Sequence, residues 1–140
     1  MQEHFALTVI TKDGRRFQGR VTKVDHLRDL ALIQAGFKPG ISISPAKGRL
    51  SLDRGETIYA TGCPQGALDT VYVGTVNSPP RLANAMPLWQ VSMTVLPGSS
   101  GSPVFDGQGN LVGVIKGRYR GTDSVGFLIP VSTVLEFLGR

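Results

Sequence analysis

Hydrophobic residues come along this chain in short runs cut by glycine, proline and aspartate. "FALTVITKDGRRFQGRVTKVD" has the form of a hairpin. Phe5 to Thr11 is rich in apolar and β-branched residues, Asp13-Gly14 is a tight-turn pair, and Phe17 to Val24 returns with rough alternation. "LRDLALIQA" is a nearly continuous apolar strand suited to burial on both faces, and "KPGISISPAKG" reads as a loop with a brief strand inside it. "GETIYATGCPQG" is a strand ending in a turn-rich corner. "DTVYVGTVNSPPR" is a strand stopped by a Pro-Pro break, and "PLWQVSMTV" is another. "SPVFDGQGNLVGVIKGR" forms a second hairpin and "SVGFLIP" a last strand. "VSTVLEFLGR" is helical, with Ser132 as N-cap and Val134, Leu135 and Leu138 on one side. The pattern therefore predicts roughly nine strands and one terminal helix, an all-β chain built as a barrel or sandwich. A seam near Leu50 to Gly55 divides the strands into an early set, 1–52, and a later set, 53–140.

Composition agrees with a folded chain. Of 140 residues 41% are hydrophobic and 18% charged, while 18 glycines and 9 prolines supply the turns that many short strands need. The single cysteine, Cys63, excludes an intrachain disulfide and reads as an inert thiol. No apolar run approaches the roughly 20 residues that span a bilayer, so no membrane partner is expected. "MQEHFALTVITKDGRR" does not have the form of a signal peptide. As written, the chain is expected to stay in the compartment where it is made, an exported location being expected only if a segment precedes Met1. The net charge of +5 is spread along the chain without a dense basic run or an aromatic platform, which reads as solvated surface and not as a nucleic-acid site. No cluster of His, Cys and carboxylates has metal-ligand spacing, and neither a metal nor a cofactor is expected.

The segment "LPGSSGSPVF", Leu96 to Phe105, carries the chemistry. Serine is a weak nucleophile that needs a base and preorganised donors for the oxyanion. Glycines beside it permit backbone angles closed to other residues and let a carbonyl approach the main chain. Taken alone, the residues fit a plain turn, an anion-binding nest of amides, or a nucleophile turn presenting the N–H groups of Gly98 and Ser100 beside the Ser100 hydroxyl.

"GSSGSPVFDGQGNLVGVI" resembles the nucleophile region of chymotrypsin-fold serine peptidases, and its Ser-Gly-Ser-Pro form is similar to the glutamyl-endopeptidase branch. The rest of the chain resembles the HtrA (Deg) branch, in order. "DGRRFQGRVTKVDHLRDLALIQ" is similar to the segment with the triad aspartate. "RGETIYATGCPQG" is similar to the corner that opens the second barrel, with Cys63 in place of an asparagine. "VYVGTVNSPPR" and "VGFLIP" are similar to later strands. The resemblance implies a chymotrypsin-like double β-barrel with a truncated first barrel and a short C-terminal helix. It implies a serine endopeptidase with Ser100 as nucleophile, Asp29 as orienting carboxylate, and the backbone N–H groups of Gly98 and Ser100 as the oxyanion hole, with Ser99 shaping the turn. Without the resemblance, Asp29 reads as a solvated residue at a strand start.

The family's histidine lies in a "T-x-x-H-V" segment that has no counterpart here, since the chain begins just beyond it. His26 reads as a surface-loop residue. His4, ahead of the first strand, is the remaining candidate base. The substrate pocket is expected at Thr94, six residues before Ser100, and at the wall strand with Lys116 and Gly117. Thr94 argues against trypsin-like specificity; Lys116 and Arg118 either make a cationic wall or face water. The expected partner is a protein or peptide substrate. A homo-oligomer or an N-terminal segment is expected to cover the open first barrel. The alternatives are a pseudo-peptidase that binds extended peptides by strand addition, and a regulatory module of a larger assembly.

Overall fold

The computed structural model describes residues 5–38, 40–62, 70–83, 86–118 and 124–139. His4 and Cys63 lie outside the described residues. The chain divides into two compact units, Met1–Ile43 and Ser44–Arg140.

The first unit is an antiparallel sheet in the order β1-β2-β3, formed by β1 (Ala6–Ile10), β2 (Arg16–Asp25) and β3 (Leu30–Ala35). The β1–β2 turn is closed by the Gly14 N–H donating to the Thr11 carbonyl at 2.9 Å and by Arg15 Nε donating to Asp13 Oδ2 at 2.8 Å. Val9 faces Phe17 and Leu7 faces Gly19, so one face of the sheet is apolar, and Phe17 stacks on Phe37 with centroids 4.5 Å apart. The β3 run was expected to be buried on both faces and is not. It is an edge strand of this sheet, and its four central residues are exposed, with Leu32 at 41% and Ile33 at 44%. A run of apolar residues records hydrophobicity, not the presence of a covering layer.

The second unit is a closed barrel in the order β4-β5-β6-β9-β8-β7. Its strands are β4 (Thr57–Gly62), β5 (Thr70–Ala83), β6 (Met86–Ser92), β7 (Pro103–Phe105), β8 (Leu111–Arg118) and β9 (Val125–Pro130). Alternation puts Ile58 and Ala60 of β4 inside and leaves Tyr59 outside. Ile58, Val76, Val91, Val104, Val112, Ile115 and Leu128 close the core. Each such side chain contributes about 1.5–3 kcal/mol of transfer free energy, an upper estimate because denatured chains are not fully extended.

Three local expectations are corrected here. Among the described residues of "KPGISISPAKG" no strand forms. A 3₁₀ turn, Pro45–Lys47, is its only regular element among the described residues. The residues of this stretch from Ser44 onward belong to the second unit: Gly48 lies against Val131, and just beyond it the Arg49 N–H donates to the Leu111 carbonyl at 2.8 Å and Leu52 enters the barrel core. The Pro79-Pro80 pair does not end β5. Pairing shifts between Ser78 and Arg81, so a bulge takes up residues that have no N–H to donate. Helix α1 (Val131–Phe137) is capped by Pro130, not Ser132, since β9 runs straight into it; its buried residues are Val131, Thr133 and Phe137, while Val134, Leu135 and Leu138 are half-buried.

Candidate active site

The segment from Leu96 to Ser102 links β6 to β7 and closes on itself before it meets the barrel. The Ser99 N–H donates to the Leu96 carbonyl and the Ser102 N–H to the Ser99 carbonyl, each at 3.0 Å. Two bonds then attach its downstream end to β8: the Gly101 N–H donates to the Ile115 carbonyl at 2.8 Å, and the Ile115 N–H donates to the Ser102 carbonyl at 2.9 Å. Gly98 has φ +93° and Gly101 φ +90°, values that a side chain would strain. Ser100 therefore sits between two backbone positions that only glycine takes up freely.

The serines of this turn face different ways. Ser100 is exposed, whereas Ser99 is fully buried and Ser102 is 7% exposed. Ser100 Oγ donates to the Lys116 carbonyl at 2.9 Å. Lys116 is the extra residue of a β-bulge: Ile115 pairs with Leu128 and Gly117 with Phe127, leaving Lys116 without an opposite partner. Bulges free one peptide group from the ladder, and here that group accepts the hydroxyl proton. Among the described residues, the amides of Gly98 and Ser100 donate to no acceptor. They are N–H groups open to an incoming anion or carbonyl oxygen.

Below the turn, Tyr72 of β5 and Ser99 share a hydrogen bond of 2.9 Å between Oη and Oγ. Gly62, the last residue of β4, passes so close that a Cβ there would lie 2.4 Å from Ser102 Oγ. Sequence reasoning missed both contacts. The signal for Tyr72 was a hydroxyl at an inward position of the alternating "TVYVG"; its partner, 27 residues away, left no local mark.

The other expected site residues are placed as follows. Thr94 follows β6 and is exposed, Lys116 and Gly117 are half-buried on β8, and a Cβ at Gly117 would meet nothing within 4 Å. Asp29 belongs to the first unit, in the turn between β2 and β3. It is exposed, with φ +58°, a left-handed conformation that aspartate tolerates better than most residues. That turn is held by Asp25, whose carboxylate accepts from the Arg28 amide at 2.8 Å and its guanidinium at 2.7 Å. These bonds hold the Asp25 carboxyl below the usual carboxylate range. His26 is exposed in the same turn, and His4 lies outside the described residues. Among the described residues, no three His, Cys, Asp or Glu side chains gather as a cation site.

A second polar cluster supports the β7–β8 hairpin. Asp106, only 5% exposed, accepts from the amides of Gln108 and Asn110 at 2.9 Å, from Asn110 Nδ2 at 3.0 Å and from Arg49 at 3.3 Å. Burial raises its pKa, but the bonds from Asn110, Gln108 and Arg49 outweigh burial and bring it to about 2. Arg49 also pairs with both oxygens of Glu56, which holds the Glu56 carboxyl below its ordinary value.

Comparison with known proteins identifies the lineage. The trypsin-like peptidase domain matches residues 2–114. The mitochondrial serine protease HTRA2 of Drosophila erecta is 28% identical over 144 residues, covering 98% of this chain and 33% of its own length. The solved structure of the HtrA-type protease AlgW with a decapeptide is 26% identical with a TM-score of 0.81, covering 96% of this chain and 43% of that one. The Rv3671c protease from M. tuberculosis in its active form has a TM-score of 0.81 at 22% identity, covering 94% and 61%, and supports the fold. The chain spans about a third of the length of the curated relatives it matches. With most of its length under the family match and its fold shared with HtrA-type structures, the chain belongs to the trypsin-like peptidase domain family, as an HtrA-like serine peptidase domain of chymotrypsin fold.

Proposed function

We propose that this domain hydrolyses peptide bonds through an acyl-enzyme on Ser100. One observation carries the reading: an exposed serine hydroxyl on a turn whose own amides, at Gly98 and Ser100, are unengaged among the described residues. In the reaction Ser100 Oγ attacks the scissile carbonyl carbon. Its proton passes to a base and from there to the leaving amine, and the oxyanion takes the Gly98 and Ser100 N–H groups. Water then attacks the ester carbonyl, releases the second product and restores the hydroxyl. Asp29 has the role of orienting carboxylate for an imidazole base, and His4 is the candidate for that base. The substrate is an extended peptide, in keeping with the peptide-bound HtrA-type relative.

A second reading is favoured by the partner of the hydroxyl. Ser100 Oγ donates to the Lys116 carbonyl, an acceptor that cannot take up its proton. A pseudo-peptidase that binds extended peptides without cleaving them has no need of a base there. A fluorophosphonate probe separates the two. Labelling of the wild-type protein and not of Ser100→Ala is expected. A folded wild-type protein that does not label assigns the domain to peptide binding.

A further inference from the structure

Tyr72 stands among the apolar residues of the barrel core, only 8% exposed, and carries a hydroxyl there. A buried hydroxyl without a partner is costly, and phenylalanine would fill the same space without that cost. The partner is Ser99 Oγ, whose residue is fully buried. Ser99 is flanked by Gly98, which offers no side chain as an anchor, and by Ser100, whose side chain is exposed.

The backbone bonds of the turn divide unequally. Gly101 and Ser102 are tied to β8 through Ile115, whereas the upstream bonds, Ser99 to Leu96 and Ser102 to Ser99, stay within the turn. Among the described residues, the Tyr72–Ser99 bond is the one hydrogen bond that ties a side chain of Leu96–Ser99 to a barrel strand. The Tyr72 ring also packs beside Gly62, with Cε2 3.8 Å from where a Cβ of Gly62 would lie, next to Ser102.

We propose that Tyr72 is a positioning residue for the nucleophile turn. Through Ser99 it fixes the peptide plane that carries the Ser100 N–H, and with it the direction of the Ser100 hydroxyl. The inference rests on the peptidase reading of Ser100, and the test separates the two.

The variants are Tyr72→Phe, Ser99→Ala and the double variant, each compared with wild type by the kinetics of fluorophosphonate labelling per folded molecule. In each single variant the maximal labelling rate is expected to fall about tenfold, the size of one buried hydrogen bond, with the probe's half-saturation concentration unchanged. The double variant is expected to be no slower than the slower single, because both changes remove one interaction. A merely structural tyrosine would lower the melting temperature and leave the rate per folded molecule alone; that result overturns the proposal. If the wild-type protein does not label, the peptidase reading falls, and amide exchange decides the positioning role. Ser99 and Ser102 amides exchanging about tenfold faster in Tyr72→Phe, against unchanged exchange at Val91 in the core, support it. Equal exchange at all of these overturns it.

Discussion

Asp106→Asn tests whether the β7–β8 hairpin, which leads directly out of the serine turn, is held by a buried carboxylate. The Asp106 side chain is 4% exposed and accepts from two amides, one carboxamide and one guanidinium. These bonds hold the carboxyl at about 2 against an ordinary 3.8. At about 1.4 kcal/mol per pH unit, the charged form contributes on the order of 2–3 kcal/mol to stability at neutral pH. The folded pKa lies below the unfolded one, so this contribution is complete above the unfolded value and is lost as pH falls through the folded value. About half of it is gone at pH 3, by the same linkage relation. Asparagine keeps the shape and one acceptor but not the charge, and it places an amide nitrogen toward Arg49 or toward the hairpin amides. Urea unfolding of both proteins at several pH values is the assay. The expected result is a stability gap of about 2–3 kcal/mol at pH 7 that narrows by about half at pH 3, as the wild-type protein alone loses the carboxylate. Groups such as Glu56 titrate in both proteins and largely cancel in the difference. A gap below about 0.5 kcal/mol at pH 7, within ordinary surface effects, would refute the reasoning, and so would a gap that stays constant with pH.

Two further predictions concern the site itself. Gly62→Ala places a methyl group 2.4 Å from Ser102 Oγ, so Ser102 must move; where it carries the turn with it, a fall of about tenfold or more in fluorophosphonate labelling is expected from sub-ångström misplacement, with the barrel still folded by circular dichroism. Labelling at the wild-type rate would show that Ser102 gives way without moving Ser100. We propose the substrate pocket at Thr94, Lys116 and Gly117, where a neutral Thr94 and a cationic Lys116 disfavour a cationic side chain before the scissile bond. A peptide panel cleaved best after arginine would contradict that assignment.

Much of this architecture is legible in the sequence because the barrel obeys local rules. Alternation in "TIYATG" and turn residues in "DGQGN" report β4 and the β7–β8 hairpin, since side-chain direction has a period of two and tight turns demand particular residues. The glycines beside Ser100 likewise announce a backbone that other residues would strain. What escapes is decided by partners distant in sequence. The apolar β3 run says nothing of whether a layer lies over it. The double proline says nothing of the bulge that keeps β5 going. The "GVIKG" run hides a bulge at Lys116 because one extra residue leaves the hydrophobic pattern almost unchanged. The site lies where these two kinds of information meet. Its glycines permit the turn, but permission alone would leave many conformers open. The Gly101–Ile115 ladder bond, the bulged Lys116 carbonyl and the Tyr72 hydroxyl reduce them to one. A flexible sequence motif thus acquires a defined hydroxyl direction only through the strands beneath it, and those constraints are read from coordinates and not from the motif.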